Sequence, residues 1–454
     1  MMVTVGPVVA RFLDVIAVFL LLAGAAGFAM LMKGCFVLRR LARDNPRDDT
    51  ASILKSPLVP AVSVIALPPD ASRASRAHAR NLLDLTYGQH ELVLVLDSPS
   101  ASDLAVWSEE FRLYLSTRVA GGDLPATSIR GIYESRDPTR LVVVDLARSD
   151  DAGAWNAGTN VASSPVIAII DPHAEIDRDL LLRMIRPMLE APDETVAVCG
   201  VDPAPGSGGL VGHFGALESL RTWLGRAAAF AGWNFVATIP GGAVLLAREA
   251  VLSAGGFHGG PLELLLDLQA GARKRNQPYR VALVPKQVTH VRVPRSLAEL
   301  HRVMWRDQRE IARALWRSRS AFSGGAAFTW ALLVLCIRFV CPLAETAAYL
   351  LASAGLPLGW VDRNLLGVVL LSTVAMGTVV SMAAVVLREL AEFEGSDPSR
   401  LAALFFAAVP ENLGYRQLSN LWMIAGLFGR GAPKNESREE AAQGPPLAAS
   451  AAKK

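Results

Sequence analysis

An aspartate and a histidine two residues apart are the first candidates for chemistry in this chain. Asp171-Pro172-His173 follows Val166–Ile170, which has the length and the β-branched content of a buried strand. A carboxylate and an imidazole at the end of a strand can both face one divalent cation. The alternative is a turn or a helix cap, since Asp-Pro opens many turns. The tripeptide alone favours the turn and leaves the metal site open.

The elements that must position these residues alternate between strands and helices. Short, apolar, β-branched runs predict strands at Val62–Leu67, Leu92–Leu96, Leu141–Val144, Val166–Ile170 and Val196–Cys199. Helical stretches such as Ala74–Leu85 and Arg178–Glu190 separate them. This alternation predicts a parallel sheet covered on both faces, with ligands bound at the carboxyl ends of the strands.

The composition indicates that part of the chain lies in a membrane. Of 454 residues, 52% are hydrophobic and only 19% are charged, which is too apolar for an ordinary soluble protein and excludes a disordered one. The net charge of +3 gives no general case for a nucleic-acid partner. The four cysteines form neither a zinc spacing nor a plausible disulfide framework, which favours a reducing, cytosolic environment.

The apolar excess is concentrated in three runs, which predict transmembrane helices at 12–33, 326–352 and 364–388. The first run could instead be a signal peptide, but it exceeds a usual signal region and ends in a basic cluster rather than a cleavage site. Arginines flank the three runs on consistent sides. We therefore predict a multi-pass protein of a bacterial-type inner membrane, with the N-terminus outside, the large domain in the cytosol and the C-terminus inside.

The remaining segments and two charged residues complete the predicted organisation. Residues 60–320 have the size of one α/β domain, 398–430 form a predicted interfacial, membrane-associated segment, and 431–454 form a predicted disordered tail. Within the second apolar run, Arg338 and Glu345 are seven residues apart on one helical face. They are predicted either to pair inside a helix bundle or to reach towards the membrane interface.

Several further segments occur in a recognisable serial order. They are Ala61–Ile65, Leu94–Ser100, Ala152–Gly158 leading into Asp171, Pro240–Ala243, Gly255–Phe257 and Glu411–Leu418. In this order the chain resembles the membrane-bound family-2 glycosyltransferases of the GT-A fold, the group that holds polysaccharide synthases and lipid glucosyltransferases. The resemblance covers nearly the whole chain. It implies a cytosolic GT-A-like (Rossmann-like) α/β domain with one N-terminal and at least two C-terminal transmembrane helices.

The resemblance also implies an activity and a site. The activity is transfer of a sugar from a nucleotide-sugar donor, with UDP as the expected nucleotide, to a glycan or lipid acceptor, as in exopolysaccharide synthesis. A divalent cation, Mn²⁺ or Mg²⁺, would be held weakly by Asp171 and His173 at the position of the family's DxD motif. The implied donor-binding residues are Asp70, Asp97, Asn156 and Asp171, and the implied catalytic carboxylates are Glu263 and Asp267. The implied acceptor-binding residues are Gly241, Gly242, His301, Arg302 and Trp305.

The sequence departs from the family's pattern at three places. Asp151 stands where a lysine neighbours the donor diphosphate, Leu264 stands where the general base is expected, and Met304 replaces an arginine. Plainer alternatives stay open: a surface turn for Asp70, a helix surface for Glu263 and Asp267, and an amphipathic helix on the membrane around Trp305. A second hypothesis is therefore a non-catalytic relative that serves as a subunit or scaffold of a synthase complex.

Overall fold

The structure is a computed structural model of the chain. It describes residues 2–44, 59–136, 140–172, 174–201, 209–236, 238–239, 242–287, 289–291, 296–322, 325–391 and 398–428. Two predicted site residues, His173 and Gly241, and the tail predicted at 431–454 lie outside the described residues.

Eleven strands are present among the described residues. In chain order they are β1 (Val62–Ala66), β2 (His90–Asp97), β3 (Leu113–Leu115), β4 (Ile129–Ser135), β5 (Leu141–Leu146), β6 (Val166–Ile170), β7 (Ala174–Ile176), β8 (Thr195–Val201), β9 (Ala243–Ala247), β10 (Arg280–Gln287) and β11 (Thr289–Val291). Nine of them form one sheet in the order β10-β8-β9-β6-β1-β2-β5-β4-β3, and β7 pairs with β11 in a separate ribbon.

The centre of the sheet is parallel, as the sequence predicts. Strand β1 lies between β2 and β6 and is parallel to both, and β5 extends the parallel set beside β2. The prediction of a wholly parallel sheet is wrong at β9, which is antiparallel to both β6 and β8, and at β4, which is antiparallel to β5. The helical segment between β8 and β9 starts and ends at the same edge of the sheet. Strand β9 therefore begins at the edge where β8 ends, and the two strands are antiparallel.

The helices of the α/β domain and of the apolar segments follow one numbering. They are α1 (Met2–Asp44), α2 (Arg73–Leu83), α3 (Ala101–Phe111), α4 (Asp151–Val161), α5 (Leu180–Glu190), α6 (Gly209–Thr222), α7 (Arg248–Ser253), α8 (Pro261–Lys274), α9 (Leu297–Arg317), α10 (Gly325–Leu335), α11 (Cys341–Gly355), α12 (Arg363–Leu370), α13 (Met376–Ala391), α14 (Pro398–Pro410) and α15 (Arg416–Phe428). A π-helical turn, Trp223–Ala228, continues α6, and similar turns join α10 to α11, α12 to α13 and α14 to α15.

The two faces of the sheet are buried in two separate apolar clusters. Because side chains alternate along a strand, Val64 and Leu94 pack in the cluster that contains α2, α3 and α5, whereas Ile65 and Val95 pack with α4, α6 and α8. The second cluster continues into α1 through Leu31. The α/β domain and the apolar helices therefore share one core.

Three helices are long and apolar enough to cross a membrane. They cover Gly6–Arg43, Phe328–Gly355 and Arg363–Ala391, which confirms one N-terminal and two C-terminal spans by length and composition. The first span lies against the π-helical turn after α6. Gly34 permits this contact, because a Cβ there would run into the carbonyl oxygen of Leu224.

The two charged residues of the second span do not pair with each other. Arg338, 4% exposed, forms ion pairs with Asp307 of α9 and, at 3.9 Å, with Glu218 of α6. Glu345, 2% exposed, accepts a hydrogen bond from Nε of Arg416 at 3.0 Å. The predicted Arg338–Glu345 pair is wrong because each side chain points to a different neighbouring helix, where a partner reduces the cost of burying its charge.

Candidate active site

Three of the predicted carboxylates lie at one edge of the sheet. Asp97 is the last residue of β2, Asp171 directly follows β6, and Asp70 stands four residues after β1, which lies between those two strands. The three strands are parallel, so their carboxyl ends meet at the same edge. Asp97 and Asp171 are both exposed there. This edge is where α/β sheets of this kind bind ligands.

The carboxylates at the edge differ in the hydrogen bonds that they accept from the rest of the protein. Oδ1 of Asp70 accepts hydrogen bonds from the Ser72 amide at 3.0 Å and the Ser75 hydroxyl at 2.6 Å, so this oxygen organises the turn into α2. Oδ1 of Asp97 accepts from the Ser149 amide at 2.7 Å. Asp97 thereby fixes the loop that leads into α4.

The start of α4 places two further carboxylates beside Asp97. Asp150 is the N-cap, and its Oδ1 accepts from the Gly153 amide at 2.9 Å. Asp151 is the first helical residue and is exposed. The loop from Ser149 therefore carries Asp151 to the same region as Asp97, and no lysine stands at the position where the resemblance expects one.

Asn156 is buried in the same helix, and both polar atoms of its side chain form hydrogen bonds within the protein. Its Nδ2 donates to the carbonyls of Pro125 and Phe257, both at 2.9 Å, and its Oδ1 accepts from the Phe257 amide at 2.7 Å. Gly255 and Gly256 have φ of +81° and +85°, in the left-handed region, and a Cβ at Gly256 would collide with Oδ1 of Asn156. Asn156 and the Gly-Gly-Phe segment therefore fix α4 against the loop before α8.

Asp171 and Gly242 meet across two paired strands. The Asp171 amide donates to the Gly242 carbonyl at 2.7 Å, immediately beyond the β6–β9 pairing. The predicted donor-side and acceptor-side segments are thus neighbours at the edge. Within the described parts of the chain, no group of three or more histidine, cysteine, aspartate or glutamate side chains is arranged to hold a metal ion. The exposed Asp171 still fits a nucleotide-bound cation, because such cations take one or two carboxylates and complete their coordination with phosphate oxygens and water.

Glu263 and Asp267 lie one turn apart on α8 and face the end of α9. Oε1 of Glu263 lies 3.6 Å from Nη1 of Arg317, and Oδ1 of Asp267 accepts from the Ser318 hydroxyl at 2.8 Å. Burial raises the pKa of Glu263, Arg317 opposes that rise, and Asp267 adds to it. Leu264, at the position expected for the base, is 1% exposed and belongs to the core.

Glu310 is a candidate that the sequence reasoning missed. It lies on α9 and is mostly buried, and a Cβ placed on Gly260 would lie 2.8 Å from its Oε1. A Cβ on the preceding Gly259 would run into Oε2 of Glu263. The two glutamates therefore flank the Gly259-Gly260 turn at the start of α8.

The charges around Glu310 connect it to the sheet edge. Its pKa is raised first by burial and then by Asp307 and Asp151, while Arg313 and Arg306 lower it. Asp151 acts on it from the start of α4, the helix whose entry loop is held by Asp97. Glu310 gives little signal in the sequence, because it is one charge in a helix rich in arginine and acidic residues.

Two of the predicted acceptor residues of α9, His301 and Trp305, lie on another face of that helix. The His301 ring lies 4.8 Å from the Trp422 ring of α15, and a Cβ on Gly426 of α15 would lie 3.1 Å from Cδ1 of Trp305. Arg302 is half-buried, and its spacing places it on the same side of the helix as Arg306. At helical spacing, Glu310 lies on the face that α9 shares with Arg306, Arg313 and Arg317. The structure thus packs His301 and Trp305 against α15, while Glu310 lies next to the start of α8.

One solved structure shares this architecture. No protein-family model matches the chain, and no curated protein is similar to it in sequence. The structure of mannosyltransferase PcManGT from Pyrobaculum calidifontis, in complex with GDP-Man and Mn²⁺, aligns with a TM-score of 0.52 at 16% identity, covering 87% of this chain and 99% of that one. S. aureus TarS aligns with a TM-score of 0.35 at 12% identity, over 79% of this chain and 91% of that one. At these identities, the likeness to the mannosyltransferase shows the fold, and it confirms the GT-A-like α/β domain with its N-terminal and C-terminal apolar helices.

Proposed function

We propose that this chain is a membrane glycosyltransferase that transfers a sugar from a UDP-linked donor to a glycan or lipid acceptor. The observation that carries the proposal is the presence of two carboxylate pairs, one at the carboxyl edge of a GT-A-like sheet and one beside the turn before α8, on elements that α4 joins through Asn156 and Phe257. Asp97 and Asp171 end the central strands, and Glu263 and Glu310 flank the turn before α8. Asp97 holds the loop from Ser149 to Asp151, and the negative charge of Asp151 contributes to the raised pKa of Glu310.

The first pair is suited to the donor. Asp171, with His173 as its predicted companion, would hold the divalent cation, and Asp97 would contact the nucleotide. When bound, the cation neutralises the charge that develops on the departing diphosphate. Asp171 is exposed, and its backbone is fixed by Gly242, so its carboxylate can be presented at a defined place.

The second pair is suited to the acceptor. In an inverting transfer the acceptor oxygen bonds to the anomeric carbon, its proton passes to a carboxylate, and the bond to the diphosphate breaks. We assign the proton to Glu310, because Glu263 already forms an ion pair with Arg317. Glu310 thus supplies the carboxylate that Leu264 lacks.

Three apolar helices support the proposed membrane placement. The arginines that flank them favour the α/β domain on the cytosolic side of a bacterial-type inner membrane. Helices α14 and α15 would then lie at the interface, beside α9. This placement suits an acceptor that is a lipid or a growing polysaccharide.

A donor-binding and turnover assay tests the proposal. The full-length chain in detergent should bind a UDP-sugar in a Mn²⁺-dependent manner by calorimetry, and it should release UDP slowly from the donor. Asp171→Asn should weaken the Mn²⁺-dependent binding by roughly tenfold or more and slow the release of UDP. The matched control Asp193→Asn should keep both, since Asp193 is exposed before β8, at the opposite edge of the sheet.

A second candidate function is a non-catalytic subunit or scaffold of a synthase complex. Two observations favour it: Asp150 and Asp151 stand at the start of α4 in place of a lysine, and Leu264 is buried in the core. Absence of both Mn²⁺-dependent binding and UDP release from a folded chain would overturn the enzyme and leave this alternative.

A further inference from the structure

A cavity of about 180 Å³ lies where the spans meet the α/β domain. It is lined by α1, the second and third spans, α6 with the π-helical turn after it, and α15. None of the residues of the proposed active site lines it. Its volume is an order of magnitude above the roughly 10–15 Å³ that one water molecule requires.

The wall of this cavity is divided into an apolar and a polar side. Leu20, Met30 and Leu31 of α1, together with Val380 of the third span, form apolar wall. Glu345, Arg416, Ser419 and Asn420 supply polar groups from the second span and α15. A ligand matched to this wall has a hydrocarbon part and a compact polar end.

The charged residues that line the cavity, together with Glu411 next to them, form arginine–glutamate ion pairs. Three arginines face three glutamates: Arg221 pairs with Glu218 and Glu411, both at 2.6 Å, Arg226 pairs with Glu218 at 3.4 Å, and Arg416 pairs with Glu345 at 3.0 Å. A charged ligand would leave one charge uncompensated in a poorly solvated place. The polar end of the ligand is therefore expected to be uncharged.

Two buried polar atoms in the wall have no hydrogen-bond partner. Oε2 of Glu345 accepts from Arg416, but its Oε1, in a side chain only 2% exposed, has no partner. Nδ2 of Asn420, in a side chain 3% exposed, also has none. One atom needs a donor and the other needs an acceptor, and Asn420 lies one helical turn from the arginine that holds Glu345.

We propose that this cavity binds an amphiphile whose polar end is a free, uncharged hydroxyl group, as in a neutral lipid. The hydroxyl donates its proton to Oε1 of Glu345 and accepts from Nδ2 of Asn420. The hydrocarbon part packs against Leu20 and Leu31 of α1. This inference concerns binding alone, and it does not rest on the proposed sugar transfer.

Binding of three related probes to the full-length chain in phosphatidylcholine nanodiscs tests the inference, with no sugar donor present. Dioctanoylglycerol carries the free hydroxyl, its O-methyl ether lacks the donated proton, and dioctanoyl phosphatidic acid carries a charge. We expect saturable binding of dioctanoylglycerol and roughly tenfold weaker binding of the ether, because the ether leaves the buried Glu345 oxygen unsatisfied. Phosphatidic acid should bind no better than the ether. Equal binding of all three probes, or saturable binding of none, would overturn the proposal.

Two variants locate the site. Gly27 lines the cavity, and a Cβ there would meet no atom within 4 Å, so Gly27→Leu should fill the space and abolish dioctanoylglycerol binding. Ala25→Leu makes a comparable addition at an exposed position of the same helix and should bind normally. If Gly27→Leu fails to fold, Asn420→Ala provides the test: it should erase the preference for the free hydroxyl over the ether. Normal binding in a folded Gly27→Leu, or an unchanged preference in Asn420→Ala, would contradict the assigned site.

Discussion

Acidic side chains are concentrated in two regions of this molecule. The two regions differ in whether these side chains are exposed or paired with arginines. At the carboxyl edge of the sheet, Asp97 and Asp171 are exposed. At the junction, which we define as Glu218, Arg221, Glu345, Glu411 and Arg416, the carboxylates are paired with arginines, and Glu411 is fully buried. Burial disfavours ionisation of Glu218, yet its arginine neighbours, Arg221 first, lower its pKa to about 2.

The charged side chains of the two regions therefore have different roles. The junction joins α6 to the apolar helices, and its charges are compensated by the protein itself, so they affect stability and the docking of elements. The edge presents carboxylates towards solvent, where a divalent cation can bind them and offset the negative charge of a nucleotide diphosphate. Loss of an arginine at the junction should therefore reduce stability, and changes at the edge should reduce nucleotide-sugar binding or turnover.

The largest effect is expected at the junction. Arg221→Ala removes the partner of Glu411 and leaves a buried carboxylate uncompensated, which costs about 3–5 kcal/mol of unfolding free energy. Chemical denaturation of the detergent-solubilised chain measures the loss. Arg186→Ala is the control, since Arg186 pairs with Glu190 at 2.9 Å on the surface of α5, where such a pair contributes about 0–1 kcal/mol. Equal losses in the two variants would remove the distinction between junction and surface.

The next effect concerns the carboxylate that faces Gly260. Glu310→Gln preserves the size of the side chain but removes the base, so turnover should fall roughly 10²- to 10⁴-fold while donor affinity changes little. Glu109→Gln, on the exposed face of α3, should keep full turnover. Unchanged turnover in Glu310→Gln would assign the proton to Glu263 instead.

The pH profile provides an independent readout of Glu310. A base must be deprotonated, and the pKa of Glu310 is raised above the ordinary value of 4.5. Turnover should therefore rise with pH, and its acid limb should lie above pH 4.5. Glu310→Gln should abolish that limb in whatever residual activity is measured, which a purely structural role would not do.

Glu310 also marks the limit of what the sequence predicts. The strands β1, β2, β5, β6 and β8 and the three spans follow from apolar runs whose lengths and residue types determine their environment. Strand β9 and the Glu263–Glu310 pair do not, because they depend on how α6 and α9 return to the sheet. Asn156 illustrates the same limit: its place at a donor site stays a prediction, and the sequence gives no sign of the hydrogen bonds by which it joins α4 to Phe257. Sequence spacing orders elements well, but it does not determine which face of a helix meets a distant loop.

A smaller effect is expected for the metal. Asp171→Asn should weaken Mn²⁺ affinity by roughly tenfold or more, since disturbing even the outer partners of a metal site costs 10–100-fold. Its unfolding free energy should stay within about 0.5 kcal/mol of the parent value, because the residue is exposed. Calorimetric Mn²⁺ titration in the presence of UDP measures the first quantity. Unchanged affinity in a folded variant would return Asp171 to its role as a turn residue.

The smallest effect tests whether the negative charge of Asp151 weakens binding of the negatively charged donor. Asp151 is exposed at the first position of α4, so Asp151→Lys replaces a negative charge with a positive one beside the proposed position of the diphosphate. Solvent and salt screen this site, so we expect UDP-sugar binding to tighten by about tenfold at low ionic strength and by less at high ionic strength. Because Asp151 also raises the pKa of Glu310, the same change should move the acid limb of turnover to lower pH. Asp193→Lys makes the identical charge change at the opposite edge of the sheet and should alter neither property. Tighter donor binding without a shift of the acid limb would show that Asp151 does not affect the pKa of Glu310. An unchanged donor affinity at every ionic strength would place Asp151 away from the diphosphate.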